Sequence, residues 1–303
     1  MEDLSTLRTE QRNPESAALD TMPVPELLAL MNAHDQLVAQ AVSAALPQIA
    51  PAVDLIVASL GNGGRLIYLG AGTSGRIGLL DAVECPPTFG TDPGTVIALI
   101  AGGSSAFGVA VEGAEDRPAA AAADLEAARL SHRDTVVGLA ASGRTPYVIA
   151  GLDHARSVGA ATVSIACNLD AACSAHADLA IELDTGPEIL TGSTRLKAGS
   201  AQKMVCNMLS TAAMVQLGKT FQNLMIDLRP TNEKLLDRAV RIVAAAADVP
   251  LSQAAVALAA SGNRPKLATV MLLAGVDAAN AARARDAAEG FLTRAVEQLA
   301  GAE

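Results

Sequence analysis

The apolar residues in the first quarter of the chain change from a helical spacing to a strand-like run. From Pro25 to Leu60 they recur every three or four residues, the period of an amphipathic helix. Residues 65–70 then form a short, mostly apolar run closed by glycine, and the helical spacing that follows it should stop at Pro86-Pro87. The pattern predicts N-terminal helices, then a strand, a turn and a helix.

The same alternation continues through the middle of the chain. Further strands are predicted at 95–101, 135–140, 161–166 and 179–183, with helices at 118–130 and 145–158. Nearly continuous apolar strands separated by helices are typical of a parallel sheet covered on both faces. We therefore predict an α/β fold with a doubly wound, mostly parallel five-stranded sheet, whose ligands bind at the carboxyl ends of the strands.

The last third of the chain is helical in pattern. A long helical period covers 197–217, and no strand pattern follows Arg229-Pro230. Breaks at 262–265 and at Gly275 divide the Ala-rich tail into four or five short helices. We predict an N-terminal helical extension, a central α/β domain that contains the sheet and a C-terminal helical region, with the boundaries 1–55, 56–219 and 220–303.

Composition and charge exclude two classes of partner. The chain is 50% apolar but only 2% aromatic, and its formal net charge is −10. A negative field repels nucleic-acid backbones and anionic membranes, and the scarcity of aromatic rings leaves few platforms for stacking bases. We therefore expect no nucleic-acid and no membrane partner.

The N-terminus and the cysteines indicate a cytoplasmic protein. Residues 1–13 are polar and charged, and the four cysteines are scattered without a C-x-x-C pair, so reduced thiols are expected. Cys167, Cys173 and His176 offer three groups where structural zinc has four ligands, and no metal is predicted.

The first glycine-rich loop suits a phosphate. The sequence G-A-G-T-S-G at 70–75 follows a strand and opens a helix, so the backbone N–H groups around Gly72 and Gly75 can meet an anion. A dinucleotide site also needs a carboxylate after the second strand, and residues 101–105 have none. Thr73 and Ser74 instead place hydroxyl groups where a monophosphate would bind, and no cofactor is predicted.

A second loop of similar chemistry follows the third strand. Ser142, Gly143, Arg144 and Thr145 again combine hydroxyl groups and glycine just before a helix. Each loop alone could be an ordinary helix N-cap. The pair favours a phosphorylated small molecule as the ligand.

Two carboxylates could act as acid and base. Glu84 lies near a helix C-terminus, where the dipole favours the protonated form, whereas Glu115 lies just before a helix, where the ionised form is favoured. The alternative is that Glu84 is a solvated helix end and Glu115 a capping residue.

The order of these motifs resembles a known family. The segments that carry the resemblance are GAGTSGR at 70–76, DAVECPPTFG at 81–90, VEGAED at 111–116, ASGRTP at 141–146 and GSTRLKAG at 192–199. They are similar to the N-acetylmuramic acid 6-phosphate etherases, which belong to the sugar isomerase (SIS) fold group. The likeness extends over nearly the whole chain, with Gln11 in place of an expected basic residue.

The resemblance implies a function and roles for individual residues. It implies cleavage of the D-lactyl ether of N-acetylmuramic acid 6-phosphate during cell-wall recycling, by a cytoplasmic homodimer that uses no metal. By position, Glu84 matches the family's proton donor and Glu115 its second catalytic carboxylate. Arg76, Arg144 and Lys197 are candidate counter-charges to the phosphate. For Glu188, after the last strand, substrate contact and helix capping are both open.

Two other functions fit the same motifs. An aldose–ketose isomerase would share the proton abstraction at C2 but release no lactate. A non-catalytic sugar-phosphate-binding regulator, resembling the glucokinase regulatory protein, would bind the sugar phosphate without consuming it. Such regulators carry two SIS modules, and this chain has room for one.

Overall fold

Five parallel strands form a single sheet in the computed structural model, which describes residues 7–301. Its order is β2-β1-β3-β4-β5, and the strands are β1 (Leu66–Gly70), β2 (Val96–Ile100), β3 (Thr135–Ala140), β4 (Ala161–Ala166) and β5 (Leu179–Glu182). The predicted parallel sheet is confirmed. The first six residues of the N-terminal segment considered above lie outside the described residues.

Successive strand residues point to opposite sides of the sheet, and each side is covered by helices. Leu69 packs toward α5 (Pro146–Val158), where an added Cβ on Gly151 would lie 2.1 Å from Leu69 Cδ2. Tyr68 points the other way, and its hydroxyl donates to Asp81 on α3 (Gly72–Phe89) at 2.9 Å. The sheet is therefore doubly wound, as predicted.

The helix α3 continues past the point where the sequence pattern predicted its end. Pro86 and Pro87 lie inside its last turn, and the helix ends only at Phe89. Each proline ring fits a helical φ, but it lacks the N–H donor and crowds the carbonyl four residues earlier. Two helical hydrogen bonds are therefore missing in this turn, and the helix nevertheless continues to Phe89. Gly90 ends the helix with a φ of +64°, and its N–H donates to the Pro86 carbonyl at 3.0 Å.

The remaining helices that precede residue 217 agree with the pattern to within a few residues. They are α1 (Val24–Ala44), α2 (Leu46–Gly61), α4 (Pro118–Ala127) and α6 (Lys197–Gln216). The helix α4 ends three residues earlier than predicted, and Thr145 is the N-cap of α5 and not its first residue.

Five short helices form the tail, as predicted. They are α7 (Glu233–Ala247), α8 (Leu251–Ala260), α9 (Pro265–Ala274), α10 (Ala278–Ala287) and α11 (Leu292–Ala300). Asn232 and Asp277 cap α7 and α10 by accepting backbone N–H groups, and Gly275 ends α9 in the left-handed conformation. Small alanines and a few larger side chains, such as Val243 and Leu267, fill the core between them.

The chain divides into two compact units. The first contains residues 1–83 and 94–210, and the second contains residues 84–93 and 211–303. The three-part division at 1–55, 56–219 and 220–303 stays a prediction.

Within residues 7–301 no single helix is long and apolar enough to cross a membrane. By length and composition alone, three pairs of consecutive helices would qualify together, although each pair is bent by 62° or more at its junction.

Candidate active site

The first glycine-rich loop has no room for side chains at its glycines. Gly72 begins α3 with a φ of +52°. A Cβ added to Gly75 would lie 2.6 Å from a side-chain carbon of Ile100, and one added to Gly70 would lie 2.7 Å from the Gly75 nitrogen. These close approaches require glycine and leave bare backbone at the N-terminus of α3, where an anion is stabilised.

The hydroxyl of Ser74 is held by a residue far away in sequence. Its Oγ donates to Gln202 Oε1 on α6 at 2.9 Å, and Ser74 is only 8% exposed. Gln202 is fully buried, and its Nε2 has no hydrogen-bond partner among the described residues. Thr73, next to Ser74, is half-buried. The first turn of α3 and the first turns of α6 thus form one polar cluster.

The second loop follows β3 and keeps its hydroxyl groups accessible. Ser142, Arg144 and Thr145 are half-buried, and the Thr145 side chain makes no capping bond to α5. Thr145 therefore occupies the N-cap position of α5, but its side chain does not cap the helix. Gly143, with a φ of +76°, is buried, and an added Cβ would lie 2.5 Å from the Ala171 side chain.

A buried asparagine holds this second loop in place. Asn168 Nδ2 donates to the carbonyl oxygens of Ala141 and Ser142 at 3.3 Å and to Thr9 Oγ1 at 2.9 Å. The Thr9 N–H donates back to Asn168 Oδ1 at 3.3 Å. Thr9 and Asn168 are both almost fully buried. The N-terminal segment is therefore connected to the second loop through the side chain of Asn168.

Glu115 opens into a small cavity at the carboxyl edge of the sheet. The cavity has a volume of about 70 Å³, and Gly72, Arg76, Ala101 and Glu112 also line it. Glu115 is exposed and precedes α4 by three residues. The structure thus brings one predicted catalytic carboxylate to the loop proposed to hold the phosphate.

Arg76 is fixed at the wall of the same cavity. Its Nε and Nη2 donate to the carbonyl oxygens of Phe107 and Ala106 at 3.1 and 2.9 Å. Its remaining amino group, Nη1, has no partner in the described part of the chain, so the cavity contains a rigid cation with a free donor beside Glu115. This placement suits binding of an anionic substrate.

Glu84 lies on α3, on the opposite end from the glycine loop. It is exposed and is twelve residues beyond Gly72, about 18 Å along the axis at the usual rise of a helix. Its partnership with Glu115 remains a prediction.

Glu188 caps α6. Its two carboxylate oxygens accept the backbone N–H groups of Lys197 and Ala198, each at 3.0 Å. Burial raises the pKa of this carboxyl, against the opposing effect of those two hydrogen bonds. The sequence left two roles open for Glu188. The structure shows that it caps α6, and its contact with the substrate stays a prediction. Lys197, 2% exposed, donates its Nζ to the Thr185 carbonyl at 2.8 Å.

Sequence reasoning missed two residues that support the site. Gln202 lies on the apolar face of α6, one turn from Ala198 and Cys206, and a polar residue on such a face is a detectable signal. Asn168 follows β4 at the carboxyl edge of the sheet, where ligand-binding loops are expected.

Comparison with known proteins places the chain in a family. It is 62% identical to the N-acetylmuramic acid 6-phosphate etherase of Mycolicibacterium smegmatis over 97% of this chain and 99% of that protein. This chain belongs to the N-acetylmuramic acid 6-phosphate etherase family. Etherase 2 of Lactiplantibacillus plantarum is 58% identical, again over 97% of this chain and 99% of that one. The family resemblance drawn from the sequence motifs is confirmed.

Two broader matches cover parts of this etherase-family chain. Residues 48–156 match the model of the glucokinase regulatory protein N-terminal SIS domain. Phosphoheptose isomerase GmhA from Neisseria gonorrhoeae is 16% identical, with a TM-score of 0.48, over 62% of this chain and 99% of that one. The latter likeness is too distant to bear on function.

Proposed function

We propose that this protein cleaves the D-lactyl ether of N-acetylmuramic acid 6-phosphate, giving N-acetylglucosamine 6-phosphate and D-lactate. The observation that carries the proposal is the family membership, with 62% identity to a named etherase over nearly all of both chains. The cavity shared by Gly72, Arg76 and Glu115 supports it, because it joins a carboxylate to an anion-binding loop.

The reaction is an elimination followed by addition of water. In the ring-opened sugar the C2 hydrogen is acidic because it is next to the C1 aldehyde, and Glu115 removes it as general base. The C3–O bond to the lactyl group then breaks, and Glu84 protonates the departing oxygen. Water then adds to C3 of the resulting unsaturated aldehyde, and C2 regains a proton. In the overall reaction the ether and one water molecule give the C3 alcohol and lactate.

The two loops hold the 6-phosphate. Ser142, Thr145, Thr73 and Ser74 offer hydroxyl groups, and the backbone N–H group at Gly72 adds a donor at the start of α3. The Gly75 N–H donates to the Ala71 carbonyl at 3.2 Å. Arg144 supplies a positive charge on the second loop. Arg76 is fixed beside Glu115, where it would balance the charge of the substrate.

The protein acts in the cytoplasm as a homodimer. Its four cysteines are free and buried, as expected in a reducing compartment. The small-molecule sugar phosphate is its only proposed ligand in this reaction, with no metal, nucleic acid or membrane involved.

An assay for D-lactate separates this function from its alternatives. Purified protein incubated with N-acetylmuramic acid 6-phosphate should release D-lactate and N-acetylglucosamine 6-phosphate in equal amounts. An isomerase would convert the sugar without lactate, and a regulator would leave the substrate intact; either result would refute the proposal.

Isotopes test the order of bond breaking. In ¹⁸O-labelled water the new oxygen should appear on C3 of the amino sugar, and in D₂O the product should carry deuterium at C2. Label in the lactate would instead indicate displacement at the lactyl carbon and would rule out the elimination.

A further inference from the structure

The second unit contains a larger cavity than the one at Glu115. Its volume is about 420 Å³, and its lining lies wholly within residues 84–93 and 211–303. The charged residues that line it come from the segment before α7 and from α9, α10 and the loop before α9. They are Lys219, Asp227, Arg229, Arg264, Lys266 and Arg285.

The charge of this cavity is opposite to that of the chain. Among the described residues that line it, five are cationic and one is a carboxylate, whereas the whole chain carries −10. Cations gathered on one concave surface repel each other, and this unfavourable energy is relieved when an anion binds between them. The concentration of arginine and lysine therefore points to a ligand.

The single carboxylate is already neutralised. Lys266, 7% exposed at its side chain, forms a close ion pair with Asp227 and also donates to the Gly218 carbonyl at 2.9 Å. Lys219 Nζ lies 3.6 Å from the same carboxylate. Asp227 thus offsets the two lysines in part, and the three arginines supply the remaining positive charge.

The arginines are available for a ligand. Arg264 uses only its Nε, which donates to the Ser261 carbonyl at 3.0 Å, and its two terminal amino groups have no partner among residues 7–301. Arg285 pairs with its neighbour Asp286, whose side chain is 67% exposed. Such exposed pairs contribute little, so exchanging the carboxylate for a phosphate costs little.

Arg229 adds a third guanidinium of the same kind. It pairs with Asp92, whose side chain is 82% exposed, at 3.0 Å. Planar guanidinium groups bind phosphate through paired hydrogen bonds, and a volume of about 420 Å³ is in the usual range for small-molecule sites.

We propose that the cavity bounded by Arg229, Arg264 and Arg285 binds a small phosphorylated molecule. This site is formed by the second unit alone and is additional to the two loops of the first unit that hold the substrate phosphate. It goes beyond the proposed ether cleavage and does not depend on it.

Binding of inorganic phosphate, followed by ³¹P NMR and by calorimetry on the full chain, tests the proposal. The wild type should bind two phosphate ions per chain. The double variant Arg264→Ala and Arg285→Ala should lose one of them, with its affinity lowered at least about tenfold, the usual effect of removing charged hydrogen bonds. Substitution of both residues by lysine should give an intermediate affinity, because charge remains but the paired geometry is lost.

A matched control removes the same charge elsewhere. Arg238 and Arg241 lie on α7 outside the cavity and are exposed, so Arg238→Ala with Arg241→Ala should leave both phosphate sites intact. Unchanged phosphate binding in the Arg264/Arg285 variant, with its thermal unfolding also unchanged, would overturn the proposal. Equal loss of binding in the control would do the same, since it would mean that only the overall charge matters.

A separate variant keeps this test apart from the catalytic proposal. Ser142→Ala should weaken only the other phosphate site, at the loop of the first unit. If the protein releases no D-lactate but the Arg264/Arg285 variant still loses a phosphate, the proposed function fails and this inference stands.

Discussion

At the residue scale, the two serines proposed to bind the substrate phosphate lie in different surroundings. Ser142 is half-buried on an accessible loop, whereas Ser74 is 8% exposed and bound to Gln202. Removal of the Ser142 hydroxyl therefore affects mainly ligand binding, because its Oγ accepts a long hydrogen bond of 3.4 Å from the Arg144 N–H in the same loop. Removal of the Ser74 hydroxyl also takes from the buried Gln202 side-chain oxygen the donor that it has among residues 7–301.

Kinetics and unfolding of the two alanine variants should reflect this difference. Ser142→Ala should raise KM for the phosphorylated substrate roughly tenfold to a hundredfold, as expected for loss of about 1–3 kcal/mol from a charged hydrogen bond, with stability unchanged. Ser74→Ala should raise KM and also lower the midpoint of thermal unfolding. If KM stays at the wild-type value in both variants, neither serine binds the phosphate. Unphosphorylated N-acetylmuramic acid should be a very poor substrate of the wild type.

The two proposed catalytic carboxylates should differ in the step they affect. Glu115→Gln should abolish both deuterium exchange at C2 and lactate release, because a neutral amide cannot remove the proton. Glu84→Gln should reduce lactate release more than exchange, because formation of the carbanion needs no acid. The two rates are measured by NMR in D₂O and by a D-lactate assay. Full activity of either variant would reject the assignment, and Glu112→Gln is the control from the same cavity wall.

At the element scale, one carboxylate connects the starts of two neighbouring strands. Asp134, directly before β3, accepts from the Arg65 N–H and side chain before β1, at 2.8 to 3.2 Å, and from the Ser131 N–H at 2.9 Å. Burial opposes ionisation of Asp134, but these hydrogen bonds and the Arg65 charge outweigh it and lower the pKa of the carboxyl. The ion pair therefore fixes the beginning of β1 beside β3.

This contact predicts a pH-dependent stability. A carboxyl whose pKa is lower in the folded state stabilises the protein above the unfolded value of 3.8, and this contribution is lost as pH falls through the folded pKa. Asp134→Asn should reduce the free energy of unfolding by about 1–3 kcal/mol at pH 7, because the paired donors lose their charged acceptor. The deficit should shrink in acid, as followed by urea denaturation at several pH values.

The control for Asp134 is an exposed pair of the same type. Asp237, 64% exposed, pairs with Arg241 one turn along α7, and Asp237→Asn should leave the free energy of unfolding nearly unchanged because solvent screens the pair. An equal effect of the two substitutions would show that burial of Asp134 is not what matters.

At the scale of the whole molecule, the proposed homodimer has a candidate surface on α3. Leu80 and Val83, one turn apart, have exposed fractions of 49% and 52%. Two apolar side chains left exposed one turn apart on a helix offer a contact point for a second copy of the chain. Light scattering should therefore give twice the chain mass of 30.7 kDa.

Charge on this face should separate the subunits. Leu80→Glu with Val83→Glu should yield monomers, because two carboxylates cannot be buried against a second copy without partners. Leu80→Met with Val83→Ile keeps the surface apolar and should remain dimeric. A wild-type protein that is monomeric at working concentrations would contradict the proposed assembly.

Local patterns were sufficient to predict most of the fold. Apolar runs and helical periods identified the five strands and the order of the helices because each depends on neighbours a few residues apart. Gly72 and Gly143 marked the two loops for the same reason, since each needs a backbone conformation that glycine adopts freely. The family resemblance came from these motifs as well.

Only the tertiary structure decided which distant residues meet. Gln202 reaches Ser74 across 128 positions, and the arginines of the second unit gather around one cavity although more than fifty residues separate Arg229 from Arg285. The end of α3 was set by Gly90, where packing leaves no space for a Cβ, and not by the two prolines. A sequence records the preferences of neighbours along the chain, whereas these contacts depend on burial and close packing between segments that the chain brings together only when it folds.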